Sequence, residues 1–495
     1  MGRRHAGSRN ILRRSEVTTK TTTGLIWFRR DLRTTDNQAL SAAAKSAKTV
    51  VALYILNGNP FDERRMGAAS RWWLHNSLSA LRVRLDALNI PLILRRGDAT
   101  TIITEIASKL AVETVYCSHV HEPLERRLEE NVARALIGDR RRLHCSEGSL
   151  IHPPGTITNR EDRPYRVFTP YWNMWKTARP TKPVPEPAAQ RPAPLPDTYS
   201  DDLDSFRLLP RNPDWSGGLQ QTWDPGEIGA EAELDRFIEN VAESYEKTRD
   251  VPSIIGTSRL SPHLHFGEIS PTRIWHTFQM ALSISNVGVD ATDTAGYLRQ
   301  LCWREFNHDI LARHPEMAHR NIDTRFDAIA WRRDPEALTA WQKGRTGYPV
   351  VDAGMRELWT TGWMHNRVRM IVASFLTKHL LIDWRDGEHW FWDTLVDADL
   401  ANNAANWQWV AGSGMDAAPY FRIFNPVLQG QRFDAAGDYV RKWLPERTGL
   451  NNKEIHLPDS ETGDLFSGNY PGAIVEHKIA RQRALEAFKV IKRRD

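Results

Sequence analysis

Between Pro180 and Pro196 seven of seventeen residues are proline. Proline lacks a backbone N–H and locks φ, so neither a helix interior nor a central strand can run through this stretch. The stretch therefore reads as part of a long irregular connector, placed here at residues 155–225. At 495 residues, the chain is long enough for two or three domains, each with a core of its own.

The two halves carry different periodicities. From Gly24, "LIWF" and "TVVALYIL" read as buried strands, followed by a helix with Leu78, Leu81, Leu85 and Leu88 on one face. Then come "PLILRR", a helix opened by Asp98 as N-cap, "TVYCS", the charged helix "LERRLEENVARALI" and a last strand near Leu143. Strands alternating with helices imply a parallel sheet covered on both faces, an α/β domain over residues 24–154. Beyond residue 226 helical periodicity takes over. Its clearest helix starts near Trp363, with Met364, Val368, Ile371, Val372, Phe375, Leu376 and His379 on one stripe. Residues 226–495 form an all-α domain ending in a basic helix, and residues 1–23 read as a basic, disordered tail or a transit peptide.

Composition narrows the class. The chain is 41% hydrophobic and 26% charged, with no apolar run approaching a membrane span. Its net charge of +5 hints at an anionic partner without demanding one. Three cysteines, Cys117, Cys145 and Cys302, have no metal or redox spacing, and so sparse a count fits a reducing cytoplasm. HExxH, GxSxG, Walker A and GxGxxG patterns are all absent. His263 and His265 in "HLH" have ligand-like spacing, but no further ligand lies near them in sequence, and a structural role is expected.

What remains is a dense polar set in the helical half. "GTSRLS", Gly256 to Ser261, offers hydroxyls and N–H groups that suit either a diphosphate nest or an ordinary helix N-cap. Asn366 and Arg369 with Asp397 and Asp399 could form either a buried ion-pair network or a cradle for a polar heteroaromatic ring. "NNAANWQW", Asn402 to Trp409, packs amides and indoles with nothing that titrates.

Taken together, "WFRRDLRTTDNQAL", "TGYPVVDAGMREL", "HNRVRMIVASFLTKHLLIDWR", "PYFRIFNP" and "IVEHKIAR" resemble the photolyase/cryptochrome family, most of all the bacterial-type cyclobutane pyrimidine dimer photolyases. The resemblance leaves out only the first 23 residues and much of the proline connector. It implies an α/β antenna domain with a Rossmann-like parallel sheet, joined by a long loop to an all-α FAD-binding domain. Tyr245, Thr257, Ser258, Arg259, Leu260 and Ser261 match positions that hold the FAD phosphates and ribityl chain. Gln300 and Arg304 match contacts to the cofactor or its pocket. Asn366 and Arg369 match flavin contacts, with Arg369 pairing to Asp397. Asp399 matches the position that bonds the ring edge, and Asn403 the one facing flavin N5. A flavin that changes charge state needs fixed amide dipoles there, which gives the Asn-rich stretch its meaning.

Spacing alone would leave every tryptophan as core packing. The resemblance assigns Trp407, Trp384 and Trp331 to the family's electron-hopping chain, while Trp72, Trp73 and Trp390 keep the packing role. The implied reaction is light-driven repair of a dimer in UV-damaged DNA, with no general base. The lesion leaves the stack to reach the flavin, as in other enzymes that act on a base. Trp303 and Met370 match lesion-lining positions, and Arg249, Arg367 and Arg422 match phosphate grips. Three such contacts imply a salt slope of about −2.7. His365 alone does not reproduce the paired histidines of (6-4) photolyases, so the cyclobutane dimer is expected. Gln300 departs from the Glu common in such enzymes, and an amide cannot stabilise the dimer by charge. Asn403 and the lack of a C-terminal extension favour repair over the signalling of cryptochromes. For the antenna pigment, Leu124 and Glu125 stand where folate binders carry Asn-Glu, so the folate site is half missing and deazaflavin, folate, another pigment or an empty pocket all stay open. A cytoplasmic monomer, with neither metal nor membrane partner, completes the expectation.

Overall fold

The computed structural model describes residues 21–57, 64–177, 179–193, 195–196, 199–283, 291–419, 422–459 and 470–492. The basic tail lies outside the described residues up to position 20, and its last three residues already belong to the first strand. Five strands, β1 (Thr21–Phe28), β2 (Ala47–Asn57), β3 (Leu92–Gly97), β4 (Thr114–Ser118) and β5 (Arg142–Ser146), form one parallel sheet in the order β3-β2-β1-β4-β5. Helices α1 (Gln38–Ser46), α2 (Ala68–Ala87), α3 (Ala99–Lys109) and α4 (Pro123–Gly138) alternate with them. The order reverses between β1 and β4, so chain segments leaving their C-terminal ends diverge and open a crevice.

Local chemistry explains the elements. Asp98 caps α3 by accepting from the Thr101 N–H at 2.8 Å. Leu78, Leu81 and Leu85 on α2, with Leu88 just past its end, are buried against one face of the sheet, and α3 and α4 cover the other. The helix α1 between β1 and β2 gave no periodic signal; Ala39, Ser41, Ala43 and Ala44 pack with Leu40 because small side chains let it sit close on the sheet.

No helix or strand runs through the described residues of the Pro180–Pro196 stretch. The connector is nonetheless tied down. A helix α5 (Phe168–Trp175) inside it buries Phe168, Tyr171 and Trp175 in the core of the helical half. The expected Trp363 helix starts three residues later, at Asn366, because the His365 ring caps it by accepting from the Arg367 N–H at 3.1 Å. All seven stripe residues from Met364 to His379 are buried, and the last turn, Phe375–Leu380, is π-helical. The C-terminal helix His477–Lys492 packs Ala484, Phe488 and Ile491 into a satellite cluster. Among the described residues no helix is long and apolar enough to cross a membrane.

Candidate FAD and DNA site

Three helices and one loop converge on the amide-rich stretch. The helix Leu400–Ala411 is capped by Asp399, whose Oδ1 accepts from the Asn402 backbone N–H at 2.8 Å and its side-chain amide at 2.6 Å. The other oxygen of Asp399 lies 3.4 Å from His308 Nε2 and 3.9 Å from His265 Nδ1. Burial opposes charge on this carboxyl, but the two imidazoles and Arg304 outweigh it and hold it well below the usual carboxylate range. His263 is structural, as expected, bonded to Glu268 at 2.5 Å. His265, two residues on, was expected to be structural too, yet it stands beside Asp399.

One turn into the helix, Asn403 donates to Glu388 of the helix Trp384–Thr394, at 2.8 Å to Oε1 and 3.0 Å to the backbone oxygen. Arg64 pairs with the same carboxylate. The expected Arg369–Asp397 pair forms at 2.8 Å, and Arg369 Nε donates to the Met364 carbonyl. Arg304 donates to the carbonyls of Ser149 and Leu264. Asn366 is exposed at the first turn of its helix, and half-buried Gln300 returns its amide to the Gly296 carbonyl at 3.2 Å.

The "GTSRLS" loop lies against the same half. Ser258 is buried, and its hydroxyl receives Tyr297 OH at 3.1 Å and the Leu260 N–H at 3.3 Å. Tyr245 is buried against Phe237 and Tyr297. Arg236 holds the Thr257 carbonyl. Arg259 sits at φ +56, a left-handed conformation disfavoured for a side chain of this size, with its guanidinium over Trp223 and Trp363. Ser261 is exposed at the start of the short helix Ser261–Phe266.

Among the described residues, several buried polar atoms in this region have no hydrogen-bond partner: Asp397 Oδ1, Arg259 Nε, His308 Nδ1 and His365 Nε2, while His308 Nε2 and His265 Nδ1 have only their long contacts to Asp399. Buried polar groups are nearly always satisfied, so orphans gathered around one loop and three helices mark a place for a polar ligand. A carboxylate acceptor beside guanidinium and imidazole groups suits a flavin ring edge and a diphosphate, and the residues fit FAD.

The three tryptophans expected to carry electrons share one cluster with different exposure. Trp407 and Trp384 are sealed in one apolar cluster, and Trp331 packs half-exposed against it and against Phe488. A Cβ at Gly387 would come within 2.2 Å of the Trp407 indole, so glycine alone admits that ring against the neighbouring helix. Trp384 Nε1 donates to Asn321 Oδ1 at 2.9 Å. Trp72 and Trp73 are core, and Trp390 stacks on exposed Trp359.

The residues expected to contact DNA are less free than the sequence implied. Arg367 is paired with Asp250 at 2.7 Å and lies over Phe433; Arg249 is 3.5 Å from Glu246. Arg422 is exposed. Trp303 stacks one face on Phe168 at 3.5 Å, and half-buried Met370 touches Arg367. Burial draws the His365 imidazole down to about 4, so it is neutral at pH 7. In the antenna half Leu124 is exposed, while Glu125 is engaged by Arg29 at 3.3 Å. Glu388, His308 and Arg236 had no sequence signal, because each reaches its partner from another helix.

Comparison with known proteins agrees with this geometry. Residues 24–189 match the family model described as DNA photolyase, and residues 297–490 the one described as FAD binding domain of DNA photolyase. A deoxyribodipyrimidine photo-lyase of Agrobacterium fabrum is 43% identical over 96% of this chain and 99% of its own length. One from Escherichia coli is 38% identical over 95% of this chain and 99% of its own. The crystal structure of a bacterial class III photolyase from Agrobacterium tumefaciens superposes with a TM-score of 0.90 at 43% identity, covering 97% of this chain and all of that one. With an α/β half and an FAD-binding helical half both matched, the chain belongs to the DNA photolyase family.

Proposed function

We propose that this protein is a deoxyribodipyrimidine photo-lyase that splits cyclobutane pyrimidine dimers in UV-damaged DNA. The observation that carries the reading is the set of buried polar atoms left without a hydrogen bond among the described residues, Asp397 Oδ1 and Arg259 Nε among them, beside an amide at Asn403 fixed by Glu388. FAD, when bound there, supplies the light-driven electron that opens the dimer. The side chains do the rest. Asn366, Arg369, Asp397 and Asp399 would hold the ring system, and Tyr245 with the Thr257–Ser261 loop and Arg304 the phosphates and their linker. Asn403 would present an oriented carbonyl without adding a proton. Trp331, Trp384 and Trp407 would carry one electron at a time from the surface inward. Trp303 and Met370 would offer an apolar wall to the extruded lesion, with Gln300 bonding its polar edge and Arg249, Arg367 and Arg422 gripping phosphates.

In this reading residues 24–154 are the antenna domain, 155–225 the connector and 226–495 the catalytic domain of a cytoplasmic monomer. The deciding experiment illuminates pre-reduced protein with DNA carrying either cyclobutane dimers or (6-4) photoproducts. Loss of the cyclobutane dimers alone is the expected result; their survival under light overturns the reading.

A further inference from the structure

Two thiols face each other on the antenna sheet. β4 and β5 are paired in register so that Cys117 lies opposite Cys145, with the sulfurs 3.4 Å apart. Cys117 is buried and Cys145 partly exposed. Adjacent strands run about 4.8 Å apart, which falls inside the Cα separation of roughly 4.4–6.8 Å that a disulfide spans. Closing the bond asks the sulfurs to approach by about 1.4 Å, to roughly 2.05 Å.

The surroundings of Cys145 come from three other elements. His119 follows β4, Glu129 projects from α4, and a nitrogen, an oxygen and the Cys145 sulfur all lie within 4.8 Å of one another. Glu129 bonds His119 Nδ1 at 2.7 Å, takes Arg29 Nη2 at 2.7 Å and accepts the Val120 N–H at 3.0 Å. Arg126, also on α4, reaches His119 Nδ1 at 3.1 Å. Glu147, just past the end of β5, is bonded to His121 at 3.0 Å. His119, Glu129 and Cys145 alone resemble a metal-ligand set. Two arginines at its edge, with the Glu129 oxygens already engaged, disfavour a cation and favour an anionic sulfur.

We propose that Cys145 is a peroxide-reactive thiolate and Cys117 its resolving partner, which together give the antenna domain a reversible dithiol–disulfide site. The hydrogen bond from Cys117, opposed by burial and by the Glu129 carboxylate and aided by His119 and Arg29, draws the Cys145 thiol down to about 7. The same hydrogen bond and burial push Cys117 well above its usual range, so it keeps its proton. The Cys145 thiolate attacks one oxygen of a hydroperoxide: an S–O bond forms, the O–O bond breaks and an alcohol or water leaves. Cys117 sulfur then attacks the sulfenic acid; the S–S bond forms, the S–O bond breaks, and water departs with the Cys117 proton. Two thiols are oxidised by two electrons in all, and the peroxide is reduced.

The third cysteine is an internal control. Cys302 is buried on the helix Ala291–Arg313, and burial raises its thiol far above the usual range. Full-length protein given one equivalent of hydrogen peroxide should lose two of its three thiols. Non-reducing digestion should yield a Cys117–Cys145 linked peptide that dithiothreitol separates. Cys117→Ser should leave a Cys145 sulfenic acid trapped by dimedone, and Cys145→Ser should slow thiol loss by about tenfold or more. Iodoacetamide labelling of Cys145 in the untreated protein should rise half-maximally near pH 7. Failure to find the linked peptide, Cys302 oxidised as fast as Cys145, or one zinc ion bound per chain with Cys145 protected would each overturn the proposal.

Discussion

Asn403 and Glu388 are locked together across two helices: both amide hydrogens of the asparagine go to the glutamate, one to its side-chain oxygen at 2.8 Å and one to its backbone carbonyl at 3.0 Å. The carbonyl end of the amide is thereby turned away from Glu388 with its direction fixed. Replacing a rotatable dipole by a fixed one is what a site that handles charge without titrating requires.

Asn403→Asp should break that lock. A second carboxylate at 2.8 Å cannot ionise beside Glu388 unless one of the pair takes up a proton. The expected cost is about 1–3 kcal/mol of stability, with slower repair. Thermal unfolding and a dimer-repair assay check it; a variant equal to the parent in both would show the contact to be idle.

Trp384→Phe should separate two activities. Phenylalanine fills most of the space but is not readily oxidised. Photoreduction of the flavin should slow by about tenfold or more, equivalent to a barrier about 1.4 kcal/mol higher. Repair by chemically pre-reduced enzyme should be nearly unchanged. Absorbance under blue light measures the first and dimer loss the second; Trp407→Phe should behave alike. Unaltered photoreduction in both variants would rule out this electron route.

Arg367 is held by Asp250 before any DNA arrives. Asp250→Asn should free it and tighten binding to irradiated duplex. Arg367→Ala should weaken binding and make the salt slope shallower by about 0.9, one phosphate's share. Binding titrations from low to physiological salt read both, and an unchanged slope in Arg367→Ala would remove this residue from the phosphate grip.

Lys378 gives a pH signature to the helical half. Its ammonium is buried against the Ala411 carbonyl at 2.6 Å and the Phe488 ring, and burial draws it down to about 7. An unfolded lysine holds its proton to about 10.4. Between those values the unfolded chain binds the extra proton, so stability should rise with pH by up to about 1.4 kcal/mol per unit, and the penalty is fully present below pH 7. Lys378→Met should flatten the rise between pH 7 and 9 and raise Tm at pH 7. Equal slopes in parent and variant would contradict the assignment.

Much of the scaffold could be read without coordinates. Asp98 announced its helix because a cap bonds within three residues, and the leucines of α2 announced a face because burial repeats with the helical turn. The helix starts at Asn366, three residues later than its periodicity predicts, since a histidine cap is an uncommon signal. The identity of the site residues came from long motifs that resemble a known family, not from their spacing.

What sequence alone determined was local: most of the strands and helices (though not α1 or α5), the stretch where prolines forbid both, and which side chains belong to a buried stripe. These follow from hydrogen bonds and side-chain periods that span a few residues. Only tertiary structure decided that Glu388 would meet Asn403, that His308 and His265 would flank Asp399, that Asp250 would hold Arg367, and that Cys117 would face Cys145. Each of those pairings depends on the register in which distant helices and strands pack, and no short-range pattern encodes it.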